Sequence, residues 1–380
     1  MSKPTHGHCL SAAVSALLLL VIADVSARPG MDQGRSSSVS VSASASAENK
    51  QPIYPDATRK APAPSASSPR MTAKVQALRD EFKRQDALGR ADVYPQLRAS
   101  ADAILADRSI SAYERAVANM VGGFAADRVD DPVVIDYLTR AVEADALDND
   151  DHFQSMLMLA QALSKTDPAK ALALLERFES QTRTHDPTVW LIKGNVLNAM
   201  GRYRQSIVAI QQAIARFGAA DGDKKRGGEL LLASVYISAG QMGEADTLID
   251  AMLAERGSDS EGMALLVMAY LSNGKDPAKA VALGDKVLAK NPGNAPLRLT
   301  LAQIYVRGRL VDQAIALMDE LNAAGRLDDG GRQALLGMAS DAFEGPSAPA
   351  AKFADALLAT NPGDAALKAR ITELRKASRP

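Results

Sequence analysis

From Met71 onward, apolar residues return along the chain at spacings of three and four. Leu191, Val196 and Leu197 precede a glycine at 201, and Ile207, Ile210 and Ile214 follow it. The second set, spaced by three and four, falls on one helical face, and the unit predicted here is two helices joined by a tight turn. The same unit then returns. The turn glycines Gly201, Gly240, Gly274 and Gly308 are spaced by 39, 34 and 34 residues. A bulky residue precedes each (Leu197, Tyr236, Tyr270, Tyr305) and a small one follows (Ser206, Ala245, Ala280, Ala314). LAKNPGNAPL at 288–297 recurs as LATNPGDAAL at 358–367, two periods of 35 later. The longer first step has a visible source in residues 218–228, GAADGDKKRGG, which read as an inserted glycine-rich loop.

Helix starts are predicted at six Asp-Pro or Asn-Pro junctions: Asp131-Pro132, Asp167-Pro168, Asp186-Pro187, Asp276-Pro277, Asn291-Pro292 and Asn361-Pro362. The polar side chain accepts an orphan amide of the first turn, and proline's fixed φ suits the first helical position.

The first 70 residues follow another pattern. Lys3 precedes an apolar run from about Leu10 to Ala23, and Val25-Ser26-Ala27 supplies small residues before Arg28. This reads as a signal peptide over 1–27, cleaved after Ala27, which predicts a periplasmic or secreted protein. The alternative is an uncleaved N-terminal membrane anchor, and membrane association is expected only in that case. The run is shorter than the roughly 20 residues that span a bilayer. Residues 28–70, rich in Ser, Ala and Pro, are predicted to be a disordered linker with little to bury. The repeat domain is therefore assigned to 71–380.

Composition sharpens this picture. The 380 residues are 47% hydrophobic and 4% aromatic, with a formal net charge of −1. A near-neutral balance gives no electrostatic reason for nucleic acid as a ligand. A core built on Ala, Leu, Val, Ile and Met favours helices over sheet.

A 34-residue helix-turn-helix period of this kind resembles the tetratricopeptide repeat family. Residues 187–218 carry the family's pattern with Trp190, Gly194, Leu197, Gly201, Tyr203 and Ala213, and with Ser206 where alanine is usual. Residues 295–326 carry it with Leu301-Ala302, Tyr305 and Ala314, and the second aromatic is missing at Met242 and Val311. The clearest coverage is 151–323. The resemblance implies an all-α fold, a right-handed α-α superhelix of about seven to eight helix pairs with a C-terminal capping helix. Stacking supplies the core that no pair can close alone.

Little in the sequence points to catalysis, and no enzyme activity or cofactor is expected. His152 and His185 lack partners at metal-ligand spacing, and no phosphate-binding loop or nucleophile elbow occurs. Ser272 to Lys275 spells S-x-x-K across an inter-helix turn, where a chance match is the better reading. The acidic run Asp145, Asp148, Asp150 and Asp151 is expected to cap the helix that begins near His152. Met156 and Met158 are expected in the core.

The resemblance implies that the first helix of each pair lines a groove holding a segment of another protein. In the family's frame the inward positions are Leu191, Asn195 and Asn198; Leu230, Ser234 and Ile237; Met268, Leu271 and Ser272; and Leu299, Gln303 and Arg307. The function this implies is a non-catalytic interaction scaffold for protein partners of the envelope or secretion machinery. The alternative is an accessory factor of envelope polysaccharide synthesis or export.

Overall fold

The computed structural model describes residues 52–255, 260–342 and 348–376. The signal-peptide and anchor readings of 1–27, and the linker reading of 28–51, lie outside the described residues. The regular structure of the described residues is helical, with no strand among them, as the repeat pattern predicts. The chain divides after Asp221 into two compact units, each built from four consecutive helix pairs.

In the N-terminal unit the helices are α1 (Pro69–Ala87), α2 (Tyr94–Leu105), α3 (Ala112–Asp127), α4 (Val134–Glu143), α5 (Asn149–Thr166), α6 (Pro168–Thr182), α7 (Pro187–Ala199) and α8 (Tyr203–Arg216). The first helices of successive pairs lie side by side, α3 on α5 and α5 on α7. Their shared core includes Phe124, Leu138, Phe153, Met156, Leu175 and Phe178. Met156 is fully buried and Met158 packs against the core.

The C-terminal unit contains α9 (Gly222–Ser238), α10 (Met242–Ala254), α11 (Ser260–Ala269), α12 (Pro277–Lys290), α13 (Ala295–Arg307), α14 (Val311–Ala323), α15 (Asp329–Ala342), α16 (Ala348–Thr360) and the last helix, α17 (Ala365–Lys376). Again the first helices stack, α9 on α11, α11 on α13 and α13 on α15. α17 closes the series against α16, the place expected of a cap. Residues 218–228 depart from expectation. They form a short 3-10 turn and then helix from Gly222 onward, not a loop. Lys225 and Glu229 pair at i and i+4 across the glycines, which supports the extra helical turn.

Three of the six predicted junctions are N-caps. Asp167 accepts from the Lys170 amide, Asp186 from Thr188 and Asp276 from Lys279. At Asp131 the carboxylate accepts from the Val133 amide inside a turn, and α4 begins two residues beyond Pro132. At Asn291 and Asn361 the junction ends the preceding helix instead. The chain turns through Pro-Gly, and the caps of the next helices are Asn294 and Asp364. Asp148 caps α5 as expected, accepting from the Asp151 amide at 2.9 Å.

The turn glycines also divide. Gly201 and Gly240 adopt φ near +70°, where L-residues are strained. In the next two turns the positive φ falls on Lys275 and Arg309. At Gly308 the neighbouring turn approaches closely, and a Cβ there would meet Leu271 Cδ1 at 2.6 Å.

Candidate interaction surfaces

The twelve predicted groove positions fall into two classes. Leu191, Asn195, Leu230, Ser234, Ile237 and Met268 are buried, so half of the predicted set is not open to solvent. The reason lies in the helices themselves. Along α9 apolar residues surround the axis, and every residue from Met263 to Ala269 of α11, and Tyr270 after it, is buried. Helices apolar on all sides pack on all sides. Ser234 joins this interior, its carbonyl accepting from the Ser238 hydroxyl, which in turn accepts from the Asn273 amide at 2.8 Å.

Asn198, Leu271, Ser272, Leu299 and Gln303 are half-buried, and Arg307 is exposed. On α13, Leu299, Gln303 and Arg307 stand four residues apart and form one stripe of apolar, amide and cationic character, half-buried at Leu299 and Gln303 and exposed at Arg307. Leu271 and Ser272 lie in the π-helical turn Tyr270–Gly274, whose Leu271 packs beside Gly308 at the end of α13. In the N-terminal unit, the Oδ1 atoms of Asn195 and Asn198, one turn apart on α7, are buried and accept no hydrogen bond from the chain.

A further surface was not evident from the sequence. Residues 52–68, inside the stretch expected to be a linker, form a non-helical strap along the ends of α3, α5 and α6. Tyr54 sets its ring edge-on against Phe153 and Phe178, with centroids 5.3 and 5.5 Å away. The Arg59 guanidinium makes four hydrogen bonds in the turn before α5: to Asp145 Oδ1 (2.8 Å), Asn149 Oδ1 (2.8 Å) and the carbonyls of Asp145 and Leu147 (3.1 and 3.0 Å). The Asn149 amide returns a bond to the Arg59 carbonyl. Composition speaks only for the average of this stretch, and the two anchors are single residues within it. The available signal was one tyrosine and one arginine in a Ser/Pro/Ala-rich stretch.

Beside this strap lie two buried titrating groups with large shifts. His152, fully buried, has its pKa lowered to about 4, first by burial and then by the Arg59 charge. Asp151 is raised to about 6, mainly by burial, although Arg79 at 2.5 Å opposes the shift. Among the described residues no cluster of three His, Cys, Asp or Glu side chains is arranged to hold a metal ion. No helix among them is long and apolar enough to cross a membrane.

Comparison with known proteins agrees with the helix-pair architecture. Residues 271–338 match the tetratricopeptide repeat family. A stretch of 187 residues is 28% identical to cellulose synthase operon protein C of Xanthomonas axonopodis pv. citri (strain 306). That alignment covers 47% of this chain and 12% of the relative, so the chain spans only a small part of the relative's length. The crystal structure of the APC/C hetero-tetramer Cut9-Hcn1 is similar at 13% identity over 76% of this chain and 60% of that one. The TM-score is 0.31, and the fold rests on the helices described above. With its stacked pairs and its period, the chain has the helix-pair fold of tetratricopeptide repeats, and residues 271–338 match that family itself.

Proposed function

We propose that this protein is a non-catalytic scaffold of the cell envelope that holds a segment of a partner protein on the accessible faces of its first helices. The repeat family supports a protein–protein interaction scaffold in general terms. The envelope setting rests on the signal-peptide reading of residues 1–27. The observation that carries the surface assignment is the stripe Leu299, Gln303 and Arg307 on α13. It offers an apolar edge, an amide for backbone bonding and a cation along one line that runs from half-buried Leu299 and Gln303 to exposed Arg307.

The test is site-specific photocrosslinking in the native envelope, with the crosslinker at Gln303 or Arg307 and a control at the exposed Lys290 of α12. The expected result is one discrete protein adduct from the two α13 positions and none from the control. Identical adducts from all three positions, or none from α13, would remove the assignment. Asn198→Ala examines the accessible end of the α7 pair in the same way, with circular dichroism verifying that the fold is kept.

A second reading is an accessory role in envelope polysaccharide synthesis or export. It is favoured by the name of the relative, a cellulose synthase operon protein. Retention of the purified protein on immobilised envelope polysaccharide, without any protein partner, would support it.

A further inference from the structure

The N-terminal unit carries a length of its own chain that belongs to no helix pair. Between its anchors the strap is open to solvent, with Lys60 through Pro64 all exposed. Near Arg59, the Ile53 amide donates to Asp150 Oδ1 at 3.1 Å and the Thr58 amide to the Gln181 carbonyl at 2.7 Å. At the far end the Ser67 amide donates to the Glu114 carboxylate, and the Ser65 carbonyl accepts from the Ser111 hydroxyl at 2.7 Å. Only Tyr54, Ala57 and Arg59 are drawn inward, and the Arg59 side chain is just 5% exposed.

The groups that receive these anchors are not those that build α5. The α5 cap is made by Asp148, and Asp151 is occupied by Arg79. Asp145, the Leu147 carbonyl, Asn149 and one oxygen of Asp150 are left for the strap. The aromatic seat is made from Phe153 of α5 and Phe178 of α6, which already meet at 5.7 Å. One aromatic seated on the edge of the core and one buried, multiply bonded arginine among solvent-exposed neighbours is the anatomy of a recognition hot spot.

We propose that this rim is a recognition site for extended segments carrying an aromatic residue and an arginine five positions later. Its resident occupant is the chain's own Tyr54–Arg59, held as a tethered ligand. Tethering gives the strap a high effective concentration, so a free segment of the same chemistry enters only when the strap is released. This site is separate from the α13 surface of the scaffold reading, and either can fail without the other.

The test is fluorescence anisotropy with a labelled synthetic peptide of residues 51–61, added to the full-length protein. A Tyr54→Ala/Arg59→Ala double variant, with its own strap loosened, is expected to bind the peptide at least about tenfold more tightly than wild type. A peptide carrying Arg59→Ala, or a protein carrying Asn149→Ala in addition, is expected to lose that binding. The double variant is expected to keep its helical circular dichroism, because a ligand is not part of the fold. Loss of helicity, failure of the helical variant to bind, or equal binding by wild type would each overturn the proposal.

A second form leaves both anchors untouched. A protease recognition sequence replaces the exposed Lys60–Pro64, and the folded chain is cut there. Excess peptide is expected to exchange with the resident fragment on size exclusion; a fragment retained against about a hundredfold excess at equilibrium counts against the site. Light scattering is expected to report a monomer throughout, and a dimer with exchanged straps would overturn the assignment of the occupant to the same chain.

Discussion

The Ser206 hydroxyl donates to the carbonyl of Gly194 at 2.6 Å, inside a helix crossing where a methyl group on Gly194 would stand 2.4 Å from Ile210 Cγ1. Both residues are buried, and together they fix how closely α7 and α8 approach. Gly194→Ala gains helix propensity but must push the two helices apart. A net loss of about 1–3 kcal/mol in denaturant unfolding is expected. Ser206→Ala removes the bond and leaves the close approach intact, so a smaller loss of about 1 kcal/mol is expected. Equal effects would mean that the crossing is not steric in origin.

Tyr270 and Tyr305 occupy equivalent places in successive repeats but have different partners. The Tyr270 hydroxyl donates to Asp246 Oδ1 at 2.5 Å, whereas the buried Tyr305 hydroxyl has no hydrogen-bond partner. Burial, with Asp285 nearby, pushes the Tyr305 phenol up to about 12. Tyr305→Phe is therefore expected to raise stability by about 0.5–1.5 kcal/mol and Tyr270→Phe to lower it by about 1–2 kcal/mol. Thermal melts of the two variants beside wild type decide this.

His152 makes stability depend on pH. Its folded pKa of about 4 lies below the ordinary value of 6.5, so the protein is stabilised above about pH 6.5 and loses that contribution as pH falls towards 4. The full span corresponds to about 3 kcal/mol. Asp151, raised to about 6, works in the opposite direction: its contribution is present at low pH and is lost as pH rises through 6. The clean readout is therefore a difference. Relative to wild type, His152→Leu is expected to gain stability steadily from pH 7 to pH 4 in urea unfolding. A constant difference across that range would contradict this expectation.

The displaced caps give another test. Asn294→Ala removes the side chain that accepts from the Leu297 amide and is expected to cost about 1 kcal/mol. Asn291→Ala, one turn earlier at the end of α12, removes only a bond to the Val287 carbonyl and is expected to cost less. A larger loss at Asn291 would restore it as the cap.

Much of the fold is written in local signals. The 34-residue spacing of turn glycines, the three-and-four apolar rhythm and the Asp-Pro starts at 167, 186 and 276 each depend on a few neighbouring residues, and each appears in the structure as read. The Asn-Pro-Gly turns misled because the same dipeptide can close one helix or open the next. Only the register of the following helix distinguishes these outcomes.

By itself, the sequence determined that this chain is a series of helix pairs, because helical periodicity and turn chemistry are properties of neighbours along the chain. Which side chains remain accessible was decided only in three dimensions. Asn195 and Leu230 sit at inward positions by register and are nevertheless buried, because burial depends on what packs against a face from elsewhere. The seat of the strap was likewise invisible in the sequence. Arg59 meets Asp145 and Asn149, residues 86 and 90 positions away, and no local pattern carries a contact at that distance.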